Sequence, residues 1–268
     1  MSVYNFAHRG ARSLAPENTL PAIEKAWNLE TDGVEVDVGV SKDGELILHH
    51  DSLLKRTTNV AEIYPARQDH PFSTFTFAEL ERLDAGSWFI DYDPFSQIRL
   101  GNVTFKELQA IQGARIPRLI ELLDFIRNKN WRVNLELKKM AEPMRRFSLA
   151  EATLSLIKKE GIDTEKIIIS SFDHENIKIV RKLKPEIEIN ALIGENPARG
   201  NNWGNFEFSI YNANANYISI RQVEQALSHN CTVNLYTVNE PEAMRRYMKW
   251  GVRSLITDFP QILKDLIR

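Results

Sequence analysis

The chain has little cysteine and no long apolar run. Its 268 residues include a single cysteine, Cys231, so an intrachain disulfide is impossible and an oxidising compartment gains no support. No apolar stretch approaches the roughly 18 residues needed to span a bilayer. The first thirty residues also lack the basic start and apolar segment of a signal peptide. We therefore expect a cytoplasmic protein without a transmembrane segment, in which Cys231 is a buried, unreactive side chain.

An excess of charge of either sign is also missing. Lys and Arg number 34 and Asp and Glu 36, which gives a formal net charge of −2. A protein that coats nucleic acid needs surplus basic side chains on one face, so we expect no nucleic-acid partner. The hydrophobic fraction of 43% and the charged fraction of 26% are ordinary values for a globular protein. Composition leaves the oligomeric state open.

Short β-rich runs alternate with longer amphipathic runs along the whole chain. The predicted strands are residues 4–7, 33–40, 132–137, 167–171, 188–192, 217–219, 232–236 and 254–257. The predicted helices are residues 19–29, 119–128, 149–160, 174–183, 223–229, 240–250 and 262–267. Asn18 and Asp173 are predicted helix N-caps, and Pro241 fits a first helical turn. Eight alternating units of this kind predict an α/β fold, the (β/α)8 TIM barrel.

The segment between the second and third of these strands is too long for the pattern. From Asp51 to Trp131 it is more than twice the roughly 30 residues of a whole βαβ unit. Its many aromatic side chains predict a packed structure and not a loose loop. We expect a single TIM-barrel domain over residues 1–268, with residues 52–115 as a small inserted subdomain after the second strand. Such loops leave from the C-terminal rim of a barrel, so the insertion is expected to overhang the active site.

Acidic side chains alternate with valines on the second predicted strand, GVEVDVGV. Glu35 and Asp37 share one face, which we place toward the barrel axis because the valines suit burial against helices. Glu136, in NLELKK at the end of the next strand, adds a third carboxylate. Three oxygen donors without cysteine suit Mg²⁺ or Ca²⁺ better than Zn²⁺. Ion pairs with Arg9, Lys138 or another base are the alternative, and the spacing leaves both open.

Two histidines lie where barrel enzymes carry their catalytic residues. His8 stands in FAHRG at the end of the first strand, and His50 stands in LILHHDSL after an apolar run. Two imidazoles beside a metal would suit paired acid and base steps. Arg9 offers a planar fork for phosphate oxygens. His49 should point to the opposite side of its strand, so we interpret it as structural.

Several longer motifs extend over nearly the whole chain. They are AHRGARSLAPENTLPAIEKAW, DGVEVDVGVSKDGELILHHDSLLKRTTN, FAELERLDAGSWF, RIPRLIELL, NLELK, LYTVN and LITDFP. In order and approximate spacing they resemble the glycerophosphodiester phosphodiesterase family. The resemblance implies a TIM-barrel phosphodiesterase, and because the catalytic histidine of the motif directly precedes an aspartate it selects His50 over His49. It also implies acid/base catalysis by His8 and His50, phosphate binding by Arg9 and Lys138, metal binding by Glu35, Asp37 and Glu136, and supporting places beside the site for Glu17 and Asn18.

The activity that the resemblance implies is metal-dependent hydrolysis of small glycerophosphodiesters to glycerol 3-phosphate and an alcohol, within lipid and glycerol metabolism. The attacking group is either water or the glycerol's own hydroxyl, which would give a cyclic phosphate first. A lysophospholipase D or a cyclising phospholipid transphosphorylase would share the barrel and histidines. A non-catalytic phosphoester-binding barrel would lack a metal ligand or a histidine. Tyr236, where many relatives have Trp, and the basic KMAEPMRRF segment leave the headgroup preference open.

Overall fold

In the computed structural model, which describes residues 3–267, nine β-strands form one sheet and eight of them close into a parallel barrel. The strands are β1 (Tyr4–His8), β2 (Gly33–Val40), β3 (Leu46–Leu48), β4 (Arg132–Leu137), β5 (Ile167–Ser171), β6 (Glu188–Ile193), β7 (Ile210–Asn214), β8 (Thr232–Tyr236) and β9 (Ser254–Thr257). Around the barrel β1 is followed by β2 and β4 to β9, and β9 pairs with β1 again. β3 pairs with β2 in antiparallel orientation outside the ring. The predicted TIM barrel is confirmed.

Helices connect and cover the barrel strands. They are α1 (Leu20–Asn28), α2 (Val60–Ile63), α3 (Phe77–Leu80), α4 (Ser87–Tyr92), α5 (Phe105–Ile111), α6 (Leu119–Ile126), α7 (Leu149–Lys159), α8 (His174–Leu183), α9 (Ile220–Ser228), α10 (Pro241–Met248) and α11 (Pro260–Ile267). Asp173 caps α8 and Pro241 begins α10, as predicted. The prediction for Asn18 is wrong, because Thr19 is the N-cap of α1 and the Asn18 side chain bonds to Asp37.

The packing of β2 follows from its alternating sequence. Val34, Val36 and Val38 are fully buried in the main hydrophobic core, together with apolar residues of the helices. Glu35 and Asp37, between them, point into the barrel. The strand is therefore buried on both faces, with an apolar outer face and an acidic inner one.

A small apolar cluster fills the barrel interior. Phe6, Ile168 and Ile256 pack together, with Tyr236 partly buried against them. Phe6, Ile168 and Ile256 each lie two positions before a residue at the C-terminal rim, so they form the layer directly below it. The polar groups at the rim thus have buried apolar side chains below them, and charges beside such side chains interact more strongly than in water.

The position of the seventh barrel strand differs from the prediction. The predicted strand, residues 217–219, is wrong, and β7 is Ile210–Asn214. β7 lacks the expected apolar pattern because its Asn212 faces the interior, where it accepts a 2.8 Å hydrogen bond from Asn234 of β8. Ser219, which ends the predicted range, is instead the N-cap of α9. The short run of residues 217–219 before α9 is therefore a connection and not a strand.

The long segment between β3 and β4 contains α2 to α5, followed by α6. Its Phe72, Phe75 and Phe89 are buried in the same core as the barrel. Phe72 packs on Gly39 of β2, where an added Cβ would lie 2.5 Å from the ring. The segment therefore packs tightly on the barrel. The boundaries of an inserted subdomain, residues 52–115, stay a prediction.

The sequence predicted no transmembrane segment and a buried cysteine. Among residues 3–267, no helix combines the length and the apolar character that a membrane span requires. Cys231 is a free, buried cysteine, as predicted, and burial raises the pKa of its thiol. It is therefore a poor nucleophile.

Candidate active site

Three carboxylates meet at the C-terminal rim of the barrel. Glu35 and Asp37 extend from β2, and Glu136 of β4 stands directly opposite Asp37 in the sheet register. One oxygen from each carboxylate lies within 4.8 Å of the others. The Asp37 side chain is 1% exposed and that of Glu136 12%. Three acids so close together in a buried site repel one another unless cations compensate them.

Two basic side chains compensate part of this charge. Lys138 Nζ lies 2.7 Å from Glu136 Oε1 and 3.2 Å from Asp37 Oδ1. Arg9 Nε lies 3.3 Å from Asp37 Oδ2, and the Arg9 backbone N–H donates to Glu35 Oε2 at 3.1 Å. The ion pairs that were the alternative to a metal site are therefore present, and the three carboxylates are also close enough together to hold a metal ion. Two cations against three anions leave a negative balance.

The pKa values reflect that imbalance. Burial, and then repulsion from Asp37 and Glu136, raises the pKa of Glu35. Burial also raises the pKa of Glu136, although Lys138 partly offsets the effect. For Asp37 burial acts upward too, but Lys138 and Arg9 outweigh it and hold its pKa well below the ordinary range. The cluster therefore has room for one more positive charge.

The turn after β1 explains the local sequence His-Arg-Gly. Arg9 has φ 55° and Gly10 has φ 87°, both in the left-handed region. An added Cβ on Gly10 would lie 2.6 Å from the Cβ of Ala22 in α1, so only glycine fits. This tight turn aims the Arg9 backbone N–H at Glu35 and its guanidinium at the acidic cluster.

His8 is held by a carboxylate that the sequence analysis did not select. Its Nδ1 lies 2.6 Å from Asp258 Oδ1, and its Nε2 lies 3.9 Å from Glu35 Oε2. Asn239 donates to the other Asp258 oxygen at 2.8 Å. Burial and then Arg9 lower the pKa of His8, whereas Asp258 acts in the opposite direction. The ring therefore favours the neutral form, with Asp258 fixing its orientation.

His50 also has a carboxylate of its own. Its Nδ1 lies 2.6 Å from Asp51 Oδ1, and its side chain is 31% exposed. The backbone N–H of the preceding residue, His49, donates to the carbonyl oxygen of Asp37 at 3.1 Å, which places His50 next to the acidic cluster in the chain. Both histidines are thus half of a histidine–carboxylate pair beside the same cluster.

His49 has a different environment. Its side chain is buried, its Nε2 lies 3.3 Å from the carbonyl oxygen of Leu53, and its ring packs edge-on against Phe72 at 5.4 Å. Burial lowers the pKa of its imidazole. His49 therefore packs in the core, on the side away from His50.

Glu17 and Asn18 of the PENT motif lie directly behind the site. Buried Glu17 accepts hydrogen bonds from Arg9 Nη1 at 2.9 Å, Arg12 Nε at 2.8 Å, and both terminal nitrogens of Arg56. Asn18 donates to the Asp37 carboxylate at 2.8 Å, and its own oxygen accepts from the backbone N–H of that residue. All nine residues selected from the sequence lie at this one rim.

Four further residues complete the arrangement, and sequence reasoning missed their roles. Arg12 Nη1 lies 3.3 Å from both oxygens of Asp258, and Arg56 Nε lies 2.6 Å from Asp51 Oδ2. Their only sequence signal is their place in the motifs HRGAR, LITDFP, HHDS and KRTTN. Asp258 also follows the last barrel strand directly, which is a position typical of barrel catalysis. Arg12 and Arg56 thus connect Glu17 to both histidine–carboxylate pairs.

A TIM barrel with two carboxylate-backed imidazoles, an arginine, a lysine and an acidic cluster at its C-terminal rim belongs to the class of enzymes that hydrolyse phosphodiesters. The profile of the glycerophosphoryl diester phosphodiesterase family matches residues 8–262. The chain therefore belongs to this family, as its motifs indicate.

Individual relatives agree over the whole length. The chain is 31% identical to a glycerophosphodiester phosphodiesterase of Caldanaerobacter subterraneus subsp. tengcongensis, over 100% of this chain and 99% of the relative. It is 29% identical to one of Bacillus subtilis, over 97% and 85% of the two chains. A phosphodiesterase of Oleispira antarctica, solved in complex with the product sn-glycerol-3-phosphate, is similar at TM-score 0.79, with 24% identity over 99% and 97% of the two chains. The glycerophosphodiester phosphodiesterase of Agrobacterium tumefaciens is similar at TM-score 0.71, again with 24% identity, over 98% and 99%.

Proposed function

We propose that this chain hydrolyses glycerophosphodiesters to glycerol 3-phosphate and an alcohol, with a divalent cation, Mg²⁺ or Ca²⁺, at the acidic cluster. The observation that carries the proposal is the placement of two carboxylate-backed histidines at the same rim as three converging carboxylates. The activity named for the relatives, and the product bound to the Oleispira enzyme, support this choice of substrate.

The acidic cluster fits a hard cation. Glu35 Oε1 is buried and has no hydrogen-bond partner, and buried Asp37 Oδ1 has only the Lys138 ammonium beside it, at 3.2 Å. A buried carboxylate oxygen without a partner is costly, and a metal ion at the cluster would satisfy Glu35 Oε1. Glu136 supplies the third oxygen. When bound, the cation would polarise the phosphoryl group as a Lewis acid.

Arg9 and Lys138 would bind the substrate phosphate. Both point at the acidic cluster, and both have pKa values raised by the acids around them despite their burial, so they remain charged. Charged donors held in a buried site stabilise the negative charge that develops on phosphoryl oxygens in the transition state. Their ion pairs with the carboxylates orient them before substrate arrives.

His8 and His50 would transfer the protons. Because Asp258 and Asp51 bind their Nδ1 atoms, the Nε2 atom of each ring is left for the substrate. One ring accepts the proton of the attacking hydroxyl, and the other donates a proton to the departing alkoxide.

The test is phosphorus NMR of the products with glycerophosphocholine, glycerophosphoinositol and lysophosphatidylcholine, because glycerol 3-phosphate, lysophosphatidate and a cyclic phosphate give distinct signals. His8→Ala and His50→Ala should each lower kcat about 10²- to 10⁴-fold. His229→Ala, an exposed histidine at the end of α9, is the control and should retain activity. Full activity of either catalytic variant would remove that residue from the mechanism.

A lysophospholipase D activity is the second candidate, because three large apolar side chains are strongly exposed at the surface. Tyr92, Leu100 and Phe105 are 76%, 66% and 75% exposed, the highest values among the large apolar side chains described. All three lie in the segment predicted to overhang the site. A lipid substrate requires such a surface. Leu100→Ser with Phe105→Ser should then reduce turnover of lysophosphatidylcholine but not of glycerophosphocholine.

A further inference from the structure

A cavity of about 620 Å³ borders the candidate active site. Its lining includes Arg12 and Arg56, which bind Glu17, and the aromatic residues Trp88, Tyr92 and Phe95 of the long segment after β3. The volume is within the range of small-molecule sites in proteins. The proposed reaction assigns no part to this cavity.

The cavity is one side chain away from each histidine–carboxylate pair. Arg56 lies 2.6 Å from Asp51, which in turn lies 2.6 Å from the His50 ring. On the other side, Arg12 contacts the carboxylate of Asp258. A phosphodiester bound between the histidines could therefore extend one of its two alcohol groups toward the cavity.

The cavity is lined by three basic and three acidic side chains, but each of the basic ones is paired with a carboxylate outside the lining. Arg12 and Arg56 are engaged by buried carboxylates, and Lys55 pairs with Asp69 at 2.9 Å. Within residues 3–267, Glu62 and Asp91 have no hydrogen-bond or ion-pair partner for their carboxylates. A third lining carboxylate, that of Asp84, accepts only from uncharged donors. The cavity should therefore attract a cation and disfavour an anion.

The aromatic side chains that line the cavity indicate which kind of cation it would bind. The indole N–H of Trp88 donates to the carbonyl of Ala85 at 2.9 Å, which fixes the ring, and Tyr92 is largely exposed. Phe95 already packs against Phe259 and has Arg12 5.4 Å from its ring centre. Trp88 makes an edge-on contact with Phe89 at 5.9 Å, and among the described residues Tyr92 has no ring partner, so these two rings are the candidates for contact with a ligand. Aromatic faces beside carboxylates are the surroundings that bind alkylammonium groups, through cation–π attraction and charge.

We propose that this cavity binds the ammonium group of the substrate's alcohol, as in choline or ethanolamine. The inference rests on the proposed function, since the phosphate is taken to lie between the histidines. Binding of the ammonium group in this cavity makes the enzyme selective for glycerophosphodiesters with a cationic alcohol over those with a neutral one. Trp88 and Tyr92 supply the aromatic contact, and Glu62 and Asp91 the charge.

The first test compares kcat and KM for glycerophosphocholine and for the uncharged-alcohol substrate glycerophosphoglycerol. Trp88→Leu, and the double variant Glu62→Gln with Asp91→Asn, should raise KM for glycerophosphocholine about 2- to 30-fold and leave glycerophosphoglycerol within about twofold. Tyr4→Leu and Glu224→Gln, exposed residues outside the cavity lining, are matched controls without effect. Equal changes for the two substrates, or none, would overturn the proposal.

The second test separates the cavity from the reaction. Choline chloride is titrated into the full-length chain by calorimetry, where the wild type should bind and Trp88→Leu should bind at least several-fold more weakly. Absence of choline binding to the wild type refutes the cavity assignment whatever the activity. If choline binds as expected but no glycerophosphodiester is cleaved, the proposed function fails and the cation site stands.

Discussion

Arg56 and Glu17 form a two-point ion pair, in which Nη1 and Nη2 donate to the two carboxylate oxygens at 2.9 and 2.6 Å. The third guanidinium nitrogen of Arg56 donates to Asp51, the partner of His50. Burial acts to raise the pKa of Glu17, but Arg56 and Arg9 outweigh it and hold that pKa far below the usual range. Glu17 is therefore charged throughout the working pH range and fixes Arg56 in place.

Arg56→Lys should lower kcat for glycerophosphoglycerol by about 10- to 100-fold, because a single ammonium cannot bind Glu17 and Asp51 with the same geometry. KM for this substrate should change little, since Arg56 acts through Asp51. Steady-state kinetics checks the result. Arg115→Lys, whose ion pair with Glu81 is exposed, is the control. Unchanged kcat in Arg56→Lys would show that His50 does not depend on the contact between Arg56 and Asp51.

Asp258→Asn should lower kcat by about 10- to 100-fold, because an amide cannot hold His8 in one tautomer as a carboxylate does. The shape of the side chain is retained, so the circular dichroism spectrum and the melting temperature should stay close to those of the wild type. The measurement is kcat with glycerophosphoglycerol. A variant with wild-type turnover would mean that the 2.6 Å contact between His8 and Asp258 has no catalytic consequence.

Chelation should stop turnover, and Mg²⁺ or Ca²⁺ should restore it. The same ions should raise the melting temperature of the metal-free protein by about 5 °C at roughly 100 times their Kd, since they relieve repulsion among the buried carboxylates. Scanning calorimetry measures this shift without reference to activity. Asp37→Asn should lose the shift, and Glu224→Gln should keep it. If neither ion changed the melting temperature, the result would contradict a metal site at this cluster.

At the opposite end of the barrel, Glu188 gives stability a pH dependence. Its carboxylate binds Arg253 at 2.7 Å and Arg132 at 2.6 Å. Burial acts upward on its pKa, but Arg253 and Arg132 outweigh it and lower the pKa. A lowered folded-state pKa means that the stabilisation is present above the ordinary glutamate pKa and is lost as the pH falls through the folded-state value.

Glu188→Gln should therefore cost about 2 kcal/mol of unfolding free energy near pH 7, and less as the pH is lowered toward about 3. Urea unfolding of both proteins at several pH values measures the difference. Glu186→Gln, whose pairing with Lys184 is exposed, should show almost none. A constant difference across the pH range would exclude the ionised carboxylate as its source.

Local sequence patterns predicted most of the barrel but not the contacts that join distant strands. The two-residue spacing of Glu35 and Asp37 was enough to place both on the inner face of β2, because alternation is a property of the strand itself. β7 was misplaced because its inward Asn212 is satisfied only by a side chain of the neighbouring strand. The partner of Asp258 is likewise not visible in the local sequence. It is His8, 250 positions earlier, which comes close only when β1 pairs with β9 and the barrel closes.

The ring of strands closes where β1 meets β9, and the His8 imidazole on β1 takes its partner from the residue after β9. A nascent chain still on the ribosome, with β9 inside the exit tunnel, has its acidic cluster and both histidines already synthesised but no Asp258 to orient His8. The contact between His8 and Asp258 therefore forms only after the barrel has been translated through its final strand.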